Sequence, residues 1–197
     1  MLYAIGFLLL APLTWIFLRP KIHNAKALRV KGKAIYVSNH WALTDPILIS
    51  MVSPRVVHYM AKKELFANPV AAFFMRQLLT FPVDRGHADM QSLKVALGLL
   101  EKGKVFGIFP EGKRSVTGEI DELESGAAFL ALRSGAPIIP IYSDPDTFRR
   151  FRLRMAVGDP MDAKQIAEHR KGKAVNVVTE AIADELLILK NQLEAGI

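Results

Sequence analysis

The chain has 197 residues, of which 51% are hydrophobic, and it carries a formal net charge of +7 at pH 7. This length suits one domain, or one domain with an appendage, and the apolar content is enough for a substantial core. The chain contains no cysteine, which excludes disulfides, thiolate catalysis and cysteine-based zinc sites. The positive charge favours negatively charged partners: phospholipid headgroups, phosphorylated substrates, an acidic carrier protein or nucleic acid.

The N-terminal segment from Leu2 to Leu18 contains no charged side chain. As a helix it would be roughly 25 Å long against a hydrocarbon layer of ~30 Å, and Pro12 favours a kink or a re-entrant element. Six basic residues follow it: Arg19, Lys21, Lys26, Arg29, Lys31 and Lys33. We therefore expect residues 1–29 to anchor the chain in the cell membrane and residues 30–197 to form one domain on the cytoplasmic side. A buried core helix is the alternative for the apolar segment.

Beyond residue 30, short apolar runs alternate with longer amphipathic ones, which predicts an α/β domain. Its central sheet is expected to be mostly parallel or mixed and to be flanked by helices. The predicted strands are Ala34–Ser38, Val56–Met60, Leu79–Val83, Val105–Phe109, Ile138–Tyr142 and Arg152–Val157. The predicted helices are Pro46–Met51, Asn68–Gln77, Asp89–Lys102, Leu123–Ser134 and Lys173–Leu193.

A histidine and an aspartate share the turn between the first of these strands and the first helix. Asp45 is predicted to be the N-cap and Pro46 the first helical residue. On a continuous helix His40 and Asp45 would lie about 140° apart, whereas a turn lets the carboxylate reach one imidazole nitrogen. That contact fixes the tautomer and leaves the other nitrogen free to take a proton from a hydroxyl. A structural histidine beside a helix cap is the alternative.

Basic side chains follow two further predicted strands. Arg85 comes after the strand that ends at Val83, and Lys113 with Arg114 comes after the next strand along the chain. In open α/β sheets ligands collect at the carboxyl ends of strands, so these residues are expected to converge near His40. A guanidinium presents a planar fork of donors, and the three cations therefore resemble a phosphate clamp.

Glu111 and Gly112 stand in the same loop as two of these cations. Because an acidic group among phosphate-binding bases is costly, we expect Glu111 to orient the loop or to bind a substrate hydroxyl rather than to transfer a proton. Gly112 lets the backbone approach a ligand and helps to expose amides to a developing oxyanion. An ordinary charged turn is the alternative.

Two C-terminal patterns predict surface features. The strand between Pro137 and Pro140 is expected at a sheet edge or groove rim, because proline disturbs a central ladder, and a plain core strand is the alternative. Arg150, Arg152 and Arg154 alternate with apolar residues, which predicts a basic ridge on one strand face. Such a ridge suits lipid headgroups or an acidic acyl carrier protein, and a solvated face is the alternative. No tight cluster of His, Asp and Glu indicates a metal site.

Four blocks of the sequence, in order, resemble the motifs of the glycerolipid acyltransferases. They are Asn39-His40 with Asp45, Val83-Asp84-Arg85-Gly86, Phe109-Pro110-Glu111-Gly112 with Arg114-Ser115, and the Pro137–Pro140 strand. The resemblance runs from about residue 30 to 160 and is closest to the bacterial members that acylate 1-acylglycerol-3-phosphate.

The resemblance implies transfer of a fatty acyl group from acyl-CoA or acyl carrier protein to lysophosphatidic acid, which forms phosphatidic acid. It makes His40 the general base and Asp45 the residue that orients it, with no cofactor beyond the acyl donor. The resemblance assigns binding of the glycerol phosphate to Arg85, Glu111, Gly112 and Arg114. Lys113 stands at a position where the family usually has threonine.

Other functions stay open at this point. The acceptor is alternatively another lysolipid or glycerol-3-phosphate. A different class is a noncatalytic basic protein that binds the membrane phospholipid surface. Nucleic acid is disfavoured as a partner, because the sequence shows no reading helix and no basic residues interleaved with exposed aromatics.

Overall fold

The computed structural model describes residues 12, 15–83, 90–115 and 120–196. In these residues, seven strands form one sheet in the order β1-β7-β6-β2-β5-β3-β4. The strands are β1 (Lys21–His23), β2 (Ala34–Ser38), β3 (Val57–Lys62), β4 (Thr80–Val83), β5 (Val105–Ile108), β6 (Ile138–Ser143) and β7 (Arg154–Val157). The helices are α1 (Asp45–Val52), α2 (Pro69–Gln77), α3 (Met90–Glu101), α4 (Gly126–Ser134), α5 (Ala163–His169) and α6 (Ala174–Glu194), with 3-10 helices at Ala25–Arg29 and Lys63–Phe66.

The sheet is mixed and mostly parallel, which confirms the expected α/β class. Strand β2 is central and pairs in parallel with both β5 and β6, whereas β6 and β7 are antiparallel. One strand, one α-helix and both 3-10 helices have no counterpart among the predicted elements. Strand β1 has three residues and helix α5 has seven, so neither is long enough to show a clear hydrophobic period.

Alternate residues of β2 enter two different cores because successive side chains of a strand point to opposite faces. Ile35 and Val37 pack with residues of α3, α4, α5 and α6. Ala34 and Tyr36 pack on the other face with residues of α1 and of the first 3-10 helix. The sheet is therefore covered on both faces, and its strand ends are left to form a site.

Strand β6 lies inside the sheet, so the prediction of an edge for the proline-flanked strand is wrong. It has β2 on one side and β7 on the other. The carbonyl of Pro140 accepts from Gly158 N at 2.9 Å, just beyond the first β7 partner pair. The missing N–H of Pro140 therefore faces the end of that ladder. A Cβ on Gly158 would stand 2.6 Å from Pro140 Cγ, so the glycine makes room for the ring.

The basic ridge predicted for Arg150, Arg152 and Arg154 is also wrong. Strand β7 begins only at Arg154, and the two earlier arginines lie in the loop that precedes it. Arg154 is largely buried, donates to the carbonyl of Leu193 at the end of α6, and contacts Asp144 at 3.4 Å. It therefore joins β7 to α6 instead of presenting charge on a free strand face.

The predicted membrane anchor falls mostly on residues outside the described part of the chain. Trp15 to Leu18 are helical, and Leu18 packs into the core. Among the residues that the structure describes, no helix has the length and apolarity needed to cross a bilayer. The predicted boundary between an anchoring segment and a catalytic domain at residue 29 stays a prediction. In the structure, strand β1 already pairs with β7, with Lys21 opposite Arg154.

Candidate active site

The chain leaves β2 through an asparagine that continues the pairing with β6. Asn39 Nδ2 donates to Ser143 O at 3.0 Å, and Asn39 Oδ1 accepts from Ser143 N at 2.9 Å. The side-chain amide thus takes the place of a further peptide group between the two strands. Asn39 is buried, so the bonds are shielded from water and fix the direction in which His40 follows.

His40 and Asp45 form the pair that their spacing predicts. Nδ1 of the imidazole donates to Asp45 Oδ2 at 2.9 Å. The same oxygen accepts from the backbone amides of Trp41 at 2.6 Å and Ala42 at 2.8 Å. The exposed fractions of the two side chains are 12% for the histidine and 5% for the aspartate. Three donors on one carboxylate oxygen hold the imidazole in a single orientation.

Helix α1 begins differently from the prediction. Thr44 is the N-cap, Asp45 is the first helical residue, and Pro46 follows it. The carbonyl of Thr44 accepts from Ile47 N and Leu48 N, both at 2.9 Å. The Asp45 side chain bonds to amides upstream of the helix rather than to those of the first turn, because it closes the turn that contains the histidine.

The loop after β5 holds the backbone of His40 on both sides. Glu111 Oε1 accepts from His40 N at 2.9 Å, and Ser115 N donates to His40 O at 2.8 Å. The second Glu111 oxygen accepts from Asp121 N at 3.3 Å. Burial raises the pKa of Glu111 above its ordinary value, and the two backbone amides oppose that shift. The carboxylate thus acts within the protein as a clamp between two loops.

An aromatic stack supports one side of the histidine ring. Phe109 stacks on His40 with ring centroids 4.2 Å apart, and Tyr59 stands 6.0 Å from Phe109 on the side of β3. Tyr59 is buried, and its ring covers Gly107 so closely that a Cβ there would lie 2.2 Å from Cε1. The absence of a side chain at Gly107 therefore allows this stack to form.

The predicted phosphate clamp is described only in part. Lys113 is 72% exposed and lies 3.3 Å from Asp121, which makes it a surface ion pair. Arg114 is exposed and forms no hydrogen bond or ion pair with the described residues. Arg85 lies outside the described residues, between Val83 and Met90. Its convergence with Arg114 stays a prediction, as do the ligand-binding roles of the whole set.

Gly112 sits in a turn that suits glycine. Its φ is +66°, which L side chains rarely adopt, and a Cβ would stand 2.5 Å from Glu124 Oε1. Its amide donates to Phe109 O at 3.2 Å. The turn brings the segment that begins at Ile120 against the loop after β5.

Three supporting residues were not assigned a role from the sequence: Asn39, Phe109 and Ser115. Each stands inside a motif block, but none can carry a full charge or act as a base at neutral pH. Their roles depend on contacts with distant segments, and chain spacing carries no signal for such contacts.

The histidine and its aspartate stand at the carboxyl end of a parallel strand, beside the loop that follows β5. A neutral imidazole whose Nδ1–H is held by a buried carboxylate presents Nε2 as the proton acceptor. In the described part of the chain, no group of three or more His, Asp and Glu is placed to hold a metal ion. An arrangement of this kind can take a proton from a hydroxyl group.

Comparison with known proteins identifies the family. The family model described as Acyltransferase matches residues 19–144, and the chain belongs to this family. It is 31% identical over 180 residues to the 1-acyl-sn-glycerol-3-phosphate acyltransferase of Bacillus subtilis, a match that covers 88% of this chain and 89% of that one.

A second relative is the 1-acyl-sn-glycerol-3-phosphate acyltransferase of Streptococcus pneumoniae. It is 30% identical over 67% of this chain, and the match spans about half (51%) of the relative's length. Among solved structures, the fold is similar to the 1-acyl-sn-glycerophosphate (LPA) acyltransferase PlsC from Thermotoga maritima. That match has a TM-score of 0.68 and 22% identity, and it covers 95% of this chain and 76% of the other.

Proposed function

We propose that this acyltransferase moves a fatty acyl group from an acyl thioester to the free hydroxyl of 1-acylglycerol-3-phosphate, which gives phosphatidic acid for phospholipid synthesis. The observation that carries the proposal is the 2.9 Å contact between His40 and Asp45, held by two backbone amides. The names of the Bacillus and Streptococcus relatives support this acceptor.

The reaction follows from the orientation of the imidazole. Nε2 of His40 takes the proton of the acceptor hydroxyl as its oxygen attacks the thioester carbonyl carbon. The C–S bond then breaks as the tetrahedral intermediate collapses, and the imidazolium returns the proton to the departing thiolate. General-base help of this kind contributes about 10²–10⁴-fold to rate, and it needs neither a covalent enzyme intermediate nor a cofactor.

The cations beside this site would bind the acceptor phosphate. Arg114 is exposed at the loop whose Glu111 and Ser115 hold the His40 backbone. With Arg85 and Lys113 it would form the clamp, and Gly112 would let the loop backbone approach the phosphate. The donor is either acyl-CoA or acyl carrier protein, and neither the fold nor the family distinguishes them.

The cell membrane is the proposed location, with the catalytic domain on the cytoplasmic side. Lysophosphatidic acid and phosphatidic acid both reside in the bilayer, so an enzyme that converts one into the other works at a lipid surface. The uncharged segment from Leu2 to Leu18 and the basic residues after it support anchoring there.

A histidine substitution tests the proposal. His40→Ala should stay folded and lose at least 10²-fold in acyl transfer to lysophosphatidic acid. His169→Ala is the matched control, because His169 is exposed on α5 and its ring contacts Gln165 O, one turn earlier in the same helix. Wild-type transfer by folded His40→Ala would remove the histidine from the mechanism. Vesicle binding by wild-type protein that transfers no acyl group would favour the noncatalytic alternative.

An arginine substitution tests the acceptor. Arg114→Ala should raise KM for lysophosphatidic acid and for glycerol-3-phosphate, and leave an unphosphorylated lysolipid almost unaffected. Arg133→Ala removes an exposed charge at the end of α4 and serves as control. Equal losses on phosphorylated and unphosphorylated acceptors would show that Arg114 does not read the phosphate. The rates of the wild type on the same panel decide which acceptor it prefers.

A further inference from the structure

The loop between β6 and β7 presents an unusual surface. Its residues 148–152 read Phe-Arg-Arg-Phe-Arg, and all five are exposed. Phe148 is 48% exposed and Phe151 is 71% exposed. The structure thus corrects the expectation that no basic residues are interleaved with exposed aromatic rings. Rings and cations without an acidic residue among them match the interface of an anionic lipid bilayer, where rings insert at headgroup depth.

Hydrogen bonds hold this loop in a defined conformation. Thr147 N and Oγ1 both donate to Asp144 O, at 3.3 and 2.8 Å. Arg150 N donates to Asp146 O at 2.9 Å, and Arg152 N donates to Thr147 O at 3.0 Å. These backbone bonds close a compact turn, so the outward direction of its side chains is set by the fold.

Phe151 holds a conformation that a bulky residue rarely adopts. Its φ is +46°, in the left-handed region where glycine and asparagine are common. The strain accompanies the highest exposed fraction among the large hydrophobic residues that the structure describes. Phe151 thus has a strained backbone while its ring stays exposed, and this combination points to a partner outside the protein.

The loop is tied directly to the end of the apolar N-terminal segment. Leu153 N donates to Leu18 O at 2.7 Å, and Leu153 O accepts from Lys21 N at 2.8 Å. Trp15, Ile16 and Phe17, just before that point, are more than half exposed. Two chain segments with exposed aromatic rings therefore meet at one backbone position.

The same end of the sheet carries His40. Strand β6 runs parallel to β2, and the carbonyl and amide of Ser143, its last residue, bond to Asn39. The loop after β6 and the turn after β2 therefore leave the sheet at one edge. A bilayer that touches the loop lies beside the edge from which the acceptor must enter.

We propose that the surface of residues 148–152 is a lipid-docking loop, which inserts Phe148 and Phe151 among anionic headgroups and places its arginines on their phosphates. This inference rests on the proposed function only in that the acceptor is a membrane lipid. The loop acts together with the N-terminal segment, and the two contacts orient the active-site edge toward the bilayer.

The positive charge of the loop and its contact with the apolar N-terminal segment favour a bilayer over an acidic protein as the partner. Arg149 and Arg150 share Asp146 at 3.6 and 3.0 Å, so one carboxylate serves two guanidiniums. Arg152 pairs with no acidic residue in the described ranges. The loop thus keeps excess positive charge beside two exposed rings and an apolar segment, and a bilayer satisfies all three.

A depth measurement tests the insertion directly. The chain has no native cysteine, so Phe148→Cys in the full-length protein carries one nitroxide label. With phosphatidylglycerol–phosphatidylethanolamine vesicles, the label should become more accessible to oxygen and less accessible to a water-soluble nickel chelate. A label at Arg133→Cys, at the opposite end of the sheet, should stay aqueous. An aqueous profile at position 148 in folded, vesicle-bound protein would overturn the proposal.

Activity measurements test what the docking does. Arg149→Gln with Arg152→Gln, and separately Phe148→Ser with Phe151→Asn, should lower transfer on anionic vesicles by about fivefold or more. Asparagine tolerates the left-handed conformation, so the second variant removes the ring without adding strain. Both variants should keep wild-type rates on acceptor dispersed in neutral detergent micelles. Lys102→Gln with Arg133→Gln removes two exposed charges at the far end and should change neither rate.

The outcomes separate this proposal from the proposed function. The label depth does not depend on turnover, so it can succeed or fail whatever the enzyme acylates. Equal losses in micelles and on vesicles would show a structural role for the loop and overturn the docking. A loss confined to acyl carrier protein as donor, with no change when acyl-CoA is used, would assign the loop to an acidic protein partner instead.

Discussion

The backbone amide of His40 donates to Glu111 Oε1 at 2.9 Å, although the two residues lie 71 positions apart. The histidine carbonyl accepts from Ser115 N at 2.8 Å, so the loop after β5 holds the histidine residue from both sides. Asp45 fixes the ring, and this loop fixes the backbone that carries it. Glu111 of the third motif thus contributes to the position of His40 in the first.

Glu111→Gln tests this positioning role. The glutamine amide nitrogen cannot accept from a backbone N–H, so one of the two amides at this position loses its acceptor. We expect kcat to fall by about 10–100-fold, since a small displacement of a catalytic group has effects of this size. KM should change less, whereas a residue that binds the acceptor would mainly raise KM. Glu168→Gln, an exposed substitution on α5, is the control, and a dominant rise in KM for Glu111→Gln would contradict positioning.

The stability of the protein should respond to pH through the same residue. Burial raises the pKa of Glu111 above its ordinary value of 4.5, so the folded state binds a proton more tightly than the unfolded state. This contribution to stability is present below the unfolded pKa and is lost as the pH rises through the folded pKa. Glutamine does not titrate. The free energy of unfolding of Glu111→Gln relative to wild type should therefore increase from pH 4.5 upward, measured by urea denaturation, and a flat difference would contradict the raised pKa.

The contact of His40 with Asp45 was predictable because it is local. The six residues between Ser38 and the Asp45-Pro46 pair leave few ways to connect the strand and the helix, and a turn brings the two side chains together. The strands and most helices were predictable for a similar reason. The period of apolar residues is a local property, as the buried stripe of α6 from Val177 to Leu193 shows.

The contacts of Glu111 and Pro140 were not predictable, because both depend on strand order. Only the placement of β2 between β5 and β6 brings Glu111 to the His40 amide. Pro140 favoured a sheet edge because proline has no N–H to donate to a ladder. Gly158 beside it leaves room for the proline ring and so allows the strand to lie inside the sheet. The short strand β7 likewise placed Arg150 and Arg152 in a loop, although the alternation of residues favoured a longer strand.

Asp45→Asn tests what the Asp45 carboxylate does for the imidazole. The asparagine carbonyl oxygen can take the place of Oδ2 and keep its three donors, but it carries no full negative charge. The imidazolium that forms when His40 takes a proton should lose its stabilising carboxylate, and kcat should fall by about 10²–10⁴-fold with the fold retained by circular dichroism. Asp184→Asn, which alters an exposed residue of α6, should be silent. A folded Asp45→Asn enzyme with near wild-type kcat would exclude this role of the carboxylate.

Asn39→Ala tests the bridge between β2 and β6. The substitution leaves the amide and the carbonyl of Ser143 buried without their side-chain partners. Each unsatisfied group costs about 1–3 kcal/mol, so we expect a loss of about 2–4 kcal/mol in the free energy of unfolding. Asn191→Ala on the exposed side of α6 should cost less than ~0.5 kcal/mol. Equal denaturation midpoints for the two variants would show that the bridge adds no stability.

Gly107→Ala tests the stack behind the histidine. The new Cβ would stand 2.2 Å from Tyr59 Cε1, and the buried ring has Phe109 on the side toward His40. Overpacking of this kind costs about 1–3 kcal/mol, and a shifted Phe109 should also lower kcat.

A second glycine offers the matched control for this substitution. Gly98 lies within α3, and a Cβ there meets nothing within 4 Å, so Gly98→Ala should stabilise the protein by about 0.5–1 kcal/mol with unchanged kcat. Adding Tyr59→Leu to Gly107→Ala should recover part of the lost stability, because the smaller side chain makes room for the methyl group. Equal stability of the two alanine variants in thermal unfolding, or no recovery in the double variant, would mean that the aromatic stack does not depend on the missing side chain at position 107.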